Sequence, residues 1–158
     1  KMEQKLAVRG DGKEWKPSLA EMTEELTLEP GQESTVAQAA NAAKDRMMEL
    51  ARIRRADGGS FLDDLADAMH EASSNPLAAQ QKYGAILVRL MVEKIPGREA
   101  TYFASLMEIA NETKQRFQSA LSAEQYADLE RRNVDVFSIQ TGYDPFGDYV
   151  ASRWGKSK

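Results

Sequence analysis

Apolar residues recur along most of the chain at intervals of three and four, the spacing that places them on one side of an α-helix. The clearest run covers residues 32–55, where the spacing is that of a narrow coiled-coil seam. Its apolar positions are Val36, Ala40, Ala43, Met47 and Leu50. The pattern therefore predicts a long amphipathic helix over 32–55.

Start and stop signals divide the rest of the chain into further helices. Ser60 and Asn75 are residue types that cap helix starts, and Pro76 suits the first helical position. The helix predicted over 76–94 is apolar around most of its circumference, so we expect it to be the most buried element. The other predicted helices are 61–72, 98–120, one from the end of the LSAEQ segment (121–125) to about 140, and 148–154.

Residues 134–139 depart from the helical pattern in composition, because their β-branched and aromatic side chains favour strands. No partner strand is visible elsewhere in the sequence, so we predict that they continue the helix before them. The fold class predicted is all-α, with four or five main helices in a hooked helical hairpin or bundle.

The amino-terminal residues have a different composition. Residues 1–25 are polar, and 9–17 contain two glycines and a proline. We expect 1–25 to be a flexible tail or tether and 26–158 to be a single helical domain, which suits a chain of 158 residues.

LSAEQ carries a specific helix-start signal. Ser122 is expected to accept a hydrogen bond from the Gln125 amide, while the Gln125 side chain reaches back to the Ser122 amide. Leu121 and Tyr126 stand at the two positions of a hydrophobic staple. A poorer copy, LEPGQ at 28–32, precedes the first long helix, with Pro30 suited to the first helical position.

Composition excludes several classes of function. The chain has no cysteine, which removes disulfides, thiolate nucleophiles and cysteine zinc sites. Its net charge is −4 without a basic stripe, so we expect no nucleic-acid binding. No apolar run approaches the ~18 residues of a membrane span. The first residue is Lys, which leaves room for a removed upstream signal or membrane anchor.

Catalytic chemistry has little support in the sequence. His70 is the single histidine, so a Ser-His-Asp arrangement would have to use it. No nucleophile–base pair or phosphate-binding glycine loop is recognisable, and we expect a protein that is not an enzyme and has no cofactor. Asp67, His70 and Glu71 fall at helical spacing. We interpret them as a solvated acidic face, with a weak transition-metal site shared across a dimer as the alternative.

A binding surface is the remaining candidate. Met47, Met69, Met91 and Met107 have spacings that place them in the core, whereas Met48 is expected off the seam. Arg52 and Arg55 belong to a basic helix end, which is typically solvated. Tyr143 and Phe146 pack on the bundle or contact a partner. The candidate binding surface therefore consists of Met48, Arg52, Arg55, Tyr143 and Phe146.

The pairing of LEPGQ and LSAEQ resembles the LTxxQ family, the Spy- and CpxP-like periplasmic proteins with related heavy-metal sensors of the CnrX and ZraP type. LSAEQ has Ser for Thr and Ala for Pro, and LEPGQ keeps Leu, Pro and Gln. Residues 68–71 and 74–76 look like the short helix and turn of that family. The resemblance covers roughly 28–140. The chain differs from the family in the Pro96-Gly97 break, in the segment after 141 and in its lack of histidine-rich motifs.

The resemblance implies a periplasmic helical protein that acts as a homodimer. It would bind unfolded clients or a protein partner and have a chaperone or envelope-stress role. One alternative is the sensor ectodomain of a membrane-anchored regulator, with 1–25 as its tether and with metal sensing through His70. Another is a cytoplasmic helical adaptor.

Overall fold

The computed structural model describes residues 14–154 and shows an all-α fold, as predicted. Seven helices occur in this part of the chain, rather than four or five. They are α1 (Leu19–Leu26), α2 (Pro30–Arg52), α3 (Phe61–Ala72), α4 (Pro76–Val92), α5 (Tyr102–Ala120), α6 (Ala123–Arg131) and α7 (Pro145–Arg153).

The described residues fall into two compact units. The first comprises the chain up to Lys44 together with Ala110–Asp144, and the second comprises Asp45–Ile109 together with the chain from Pro145. The long helices α2 and α5 contribute residues to both units. The single helical domain and the hooked hairpin expected from the sequence stay predictions.

The first unit has an apolar core to which its amino-terminal segment contributes. Trp15 is buried there, and α1 begins at Ser18 with a complete capping box in which Glu21 is the partner. Residues 14–25 thus differ from the flexible tail expected over 1–25, and residues 1–13 lie outside the described residues. The large buried side chains of this core include Trp15, Met22, Leu26, Val36, Phe117, Leu129 and Ile139.

The segment after α6 is extended, so the prediction of a helix to about 140 is wrong. Asn133 adopts a left-handed conformation with φ 54°, which ends the helix. Val134 then forms an isolated parallel bridge with Trp15, and Gln140 forms another with Ser18. The strand-like composition of 134–139 therefore has a partner, which lies in the residues expected to be a tail.

Both Leu-x-x-x-Gln segments open helices, and their glutamines meet. Ser122 and Gln125 form the predicted capping box, with distances of 3.1 and 2.8 Å. At the start of α2, the Glu29 amide donates to Gln32 Oε1 at 2.9 Å. Gln32 Nε2 donates to Gln125 Oε1 at 2.8 Å, and Gln125 Nε2 donates to Gln32 Oε1 at 3.2 Å. We call this contact the glutamine pair.

The second unit is built around α3 and α4. Ser60 caps α3 and Asn75 caps α4, as predicted, and the two helices pack along their length. Their shared interior contains Phe61, Leu62, Ala66, Ala68, Ala79 and Ile86. Phe61 also meets the ring of Tyr102 edge-on, with 4.6 Å between ring centroids.

Candidate functional site

The outward side of α4 is an exposed apolar surface. Leu77, Val88 and Met91 share one side of the helix because their spacings follow its period. Leu77 is 66% exposed and Val92 is 69% exposed. We call this surface the α4 face, and its large apolar members are Leu77, Tyr83, Leu87, Val88, Met91 and Val92. The prediction that this helix is the most buried element is wrong, because only Ala79 and Ile86 of it are buried.

The charges of α4 lie away from this face. Its two charged residues are Lys82 and Arg89. Lys82 pairs with Glu71 of α3 at 2.5 Å, and Arg89 pairs with Asp57 at 3.0 Å and with Glu93 at 2.8 Å. These hydrogen bonds raise the pKa of both cations. The charged groups of the helix are therefore engaged toward the unit, whereas its large apolar side chains, together with Gln80 and Gln81, face solvent.

Gly84 lies in the middle of the α4 face. A Cβ added there would have no heavy atom within 4 Å. A glycine in a helix interior costs roughly 0.5–1 kcal/mol relative to alanine, and no contact with the rest of residues 14–154 requires it. An exposed apolar patch of this kind, unlike single apolar residues, is typical of a protein-interaction surface.

Two of the five residues in the candidate surface predicted from the sequence, Met48 and Arg55, are buried. Met48 is 2% exposed and packs in the interior, although it was expected off the seam. Arg52 and Tyr143 are exposed, and Phe146 is half-buried. Conversely, Met69, Met91 and Met107 are exposed, so their assignment to the core is wrong.

Arg55 is buried and serves a structural role. Its guanidinium pairs with Asp64 at 2.9 Å and with Asp57 at 3.4 Å, and it lies 4.6 Å above the centre of the Phe61 ring. The backbone hydrogen bond from Gly59 and the side-chain bond from Arg89 lower the pKa of Asp57 to about 2. Arg55 therefore closes the turn between α2 and α3 and cannot reach a partner.

Tyr143 is positioned by a buried lysine in the first unit. Lys44 donates to the Tyr143 carbonyl at 2.8 Å, and Thr141 donates to Asn41 at 2.6 Å. Burial lowers the pKa of Lys44, while Asp144 acts in the opposite direction. The 141–144 loop is thus fixed to α2 by polar contacts.

The three predicted metal ligands bind other groups. Asp67 pairs with Arg153 at 3.2 Å, and Glu71 pairs with Lys82. His70 stacks on Trp154, with 3.8 Å between ring centroids. Within residues 14–154, no group of three or more His, Asp or Glu side chains is arranged to hold a metal ion.

Two surface clefts in the second unit have mixed linings. The smaller, of about 250 Å³, lies between α3 and α4 and is lined by Asp64, Asp67, Lys82, Ala85, Ile86 and Arg89. The larger, of about 320 Å³, combines Arg46 and Arg98 with Glu49 and Glu108. A ligand of either charge would meet like charge in both clefts, so they support a binding site less well than the α4 face.

Helix α7 docks on α3 mainly through polar contacts. Asp63 accepts hydrogen bonds from Tyr149 and, at 3.3 Å, from Arg153. The bond from Tyr149 is the largest cause of the lowered pKa of Asp63. Because that pKa lies below its value in the unfolded chain, about 3.9, the contact stabilises docking above that pH. This stabilisation is lost as the pH falls through the lowered pKa.

We expect Asp63→Asn to loosen α7, because the amide cannot replace the charge that Arg153 and Tyr149 contact. The indole N–H signal of Trp154, assigned with Trp154→Phe, should shift in the variant at neutral pH. In the unmodified protein the same shift should appear only below about pH 4. Asp67→Asn is the matched control with a smaller effect, since Asp67 contacts Arg153 but not Tyr149. Identical spectra for Asp63→Asn and the unmodified protein would contradict this docking mode.

None of the helices in residues 14–154 combines the length and the apolar character that crossing a membrane requires. Comparisons of the chain with protein-family models, with curated proteins and with solved structures find no match.

Proposed function

We propose that this chain is a non-enzymatic protein-binding protein that holds apolar segments of other proteins on the α4 face. The observation that supports the proposal is the exposure of six large apolar side chains along one helix whose charged groups are all engaged elsewhere. Burying such side chains against a partner removes apolar area from water, at about 25 cal/mol per Å². The unbranched side chain of Met91 can adapt to different partner shapes.

The resemblance to Spy- and CpxP-like proteins leads to the same proposal. Both Leu-x-x-x-Gln segments open helices, and the glutamine pair joins them, which supports the reading of LEPGQ and LSAEQ as a matched pair of motifs. The periplasm and an envelope-stress role are what that resemblance implies. A chaperone-like holding role requires no catalytic group, and the α4 face contains none.

We expect Val88→Asp to abolish most of the client holding, because a carboxylate in the middle of the α4 face must be desolvated when an apolar segment binds. The measurement is suppression of light scattering by reduced insulin and by a heat-aggregating test protein, at equimolar chain. Gln118→Asp, on the exposed side of α5, is the matched control and should retain suppression. Circular dichroism should show that both variants stay helical.

The result that would contradict the proposal is equal suppression by Val88→Asp and Gln118→Asp, or no suppression by the unmodified chain at a stoichiometric dose. The first outcome would remove the α4 face from binding. The second would remove the holding role.

A further inference from the structure

Met91 places a thioether in the exposed α4 face. It is 53% exposed and is the only methionine of helix α4. Leu87 and Val88 lie four and three residues before it, so their side chains adjoin it on the same side of the helix. A client that covers Leu87 and Val88 therefore also covers the sulfur of Met91.

An exposed thioether reacts with hydroperoxides. The sulfur takes one oxygen atom as the O–O bond breaks, so the sulfur is oxidised by two electrons and the peroxide is reduced to water or to an alcohol. The product, methionine sulfoxide, is a polar side chain in place of a flexible apolar one. Sulfoxide reductases reverse the step, so the chemical change works in both directions.

The position of Met91 in the helix makes its sulfoxide unfavourable under a client. Met91 lies in the last turn of α4, where the backbone carbonyls have no partner within the helix. These carbonyls accept hydrogen bonds, as a sulfoxide oxygen does, so they cannot donate to it. Arg89, the cation closest to Met91 along the helix, already pairs with Glu93 at 2.8 Å and with Asp57 at 3.0 Å. An apolar client would thus bury a polar oxygen without a donor.

We propose, resting on the proposed function, that Met91 is an oxidation site that regulates client binding by the α4 face. A hydroperoxide converts Met91 to its sulfoxide, the face releases apolar clients, and reduction of the sulfoxide restores binding. One buried polar group without a partner should lower client affinity about tenfold. Leucine has a similar helix propensity and volume, so Met91→Leu should bind clients normally and lack only the reactive sulfur.

Two other exposed methionines separate this site from general oxidation damage. Met69 of α3 is 45% exposed and Met107 of α5 is 42% exposed, which is close to the exposure of Met91. Neither belongs to the α4 face, so their sulfoxides should leave client holding unchanged. Mass spectrometry of peptides measures the three sulfoxides separately and therefore assigns a loss of holding to one sulfur.

The experiment compares the unmodified chain, Met91→Leu and Met107→Leu before and after treatment with hydrogen peroxide. The peroxide is removed, and client holding is measured as suppression of light scattering by a heat-aggregating test protein. For the unmodified chain and Met107→Leu, the dose for half suppression should increase about tenfold as the Met91 sulfoxide forms, whereas Met91→Leu should keep its original dose. Reductases for both sulfoxide epimers should restore suppression, and circular dichroism should show that all samples stay helical.

A bound client should also protect Met91 from the oxidant. Alkylated insulin B chain at a saturating dose should slow sulfoxide formation at Met91, because it covers the sulfur. The rates at Met69 and Met107 should stay unchanged, since both lie outside the α4 face.

Two results would overturn the oxidation-site proposal. One is an equal loss of holding by Met91→Leu and by the unmodified chain after peroxide, and the other is full holding by a chain whose Met91 is completely oxidised. If either occurs while Val88→Asp still loses client holding, the proposed function stands and only the regulation by oxidation fails. If the unoxidised chain holds no client, the proposed function fails, and the oxidation-site proposal fails with it.

Discussion

Replacing Arg132 with methionine is expected to lower the free energy of unfolding by about 3–5 kcal/mol, the range for breaking a buried ion pair on one side. The Arg132 side chain is 2% exposed. Its Nε donates to Asp128 Oδ1 at 3.1 Å, its Nη1 donates to Glu25, and its guanidinium lies 5.0 Å from the centre of the Trp15 ring. Methionine fills similar volume but removes the charge between two carboxylates.

The hydrogen bonds explain why Arg132 is charged in this interior. Burial alone would lower its pKa, but the bonds to Asp128 and Glu25 outweigh that effect and raise it. Without the guanidinium, the buried carboxylate of Asp128 would lose its cationic partner. Glu25, which pairs with the same guanidinium, would lose that partner too. Both charges would then oppose folding, because neither is fully hydrated.

Arg131 is the matched control, since it is adjacent in sequence and contacts the same carboxylate. Its side chain is 48% exposed, and it approaches Asp128 at 3.5 Å. Exposed ion pairs contribute about 0–1 kcal/mol, so Arg131→Met should change stability little. Urea unfolding followed by circular dichroism measures both variants. Similar losses of unfolding free energy for the two variants would show that burial does not determine how much Arg132 contributes to stability.

The contacts of Arg132 also show why the structure of the amino-terminal segment could not be predicted from the sequence. Trp15 is ordered by Arg132 and by the bridge to Val134, groups more than a hundred residues away along the chain. An isolated bridge leaves no periodic pattern in either segment, so the polar composition of 1–25 and the missing partner strand for 134–139 were both misleading. The two errors have one cause.

Local signals were sufficient for three of the helix starts. Ser60, Asn75 and Ser122 act within three residues of themselves, and α3 has the bounds that its caps predict. Burial could not be predicted equally well, because periodicity shows which side of a helix is apolar without showing what covers it. Helix α4 therefore appeared to be the most buried element, and its exposed face became evident only from the arrangement of α3 beneath it.

The burial of Met48 and Arg55 also depends on tertiary packing that helical periodicity does not show. The sequence assigns Met48 to a surface because it falls off the apolar seam, and Arg55 because it is a cation at a helix end. Met48 instead fills the interior, and Arg55 is enclosed by Asp57, Asp64 and the Phe61 ring. Exposed methionines and arginines can serve binding, but exposure depends on tertiary packing that a single helix does not encode.

Gln125→Ala is expected to lower the free energy of unfolding by about 2–3 kcal/mol, combining one lost cap with backbone groups left without their partner. Gln125 Oε1 accepts from the Ser122 amide at 2.8 Å, and Nε2 donates to the Thr27 carbonyl at 3.1 Å and to the Leu26 carbonyl at 3.2 Å. One side chain thus caps the start of α6 and the end of α1.

Because of the glutamine pair, the loss of unfolding free energy caused by Gln125→Ala depends on whether Gln32 is present. Gln32 donates to Gln125 and to the Ala120 carbonyl, at 2.8 and 3.1 Å, and accepts from the Glu29 amide. A double-mutant cycle of Gln32→Ala and Gln125→Ala should therefore give a coupling energy of about 0.5–3 kcal/mol, with the double variant less destabilised than the sum. Gln118→Ala, on the exposed side of α5, should stay within about 0.5 kcal/mol.

Additive losses in this cycle would mean that LEPGQ and LSAEQ are two independent caps, each common in unrelated helical proteins. Coupled losses would mean that the two motifs act as one unit, because each glutamine bonds to the other and donates to a carbonyl at the end of the helix that precedes the other's. Only in the second case does the pairing of the motifs, rather than either copy, determine the structure. The coupling energy therefore distinguishes a paired motif from two independent helix caps.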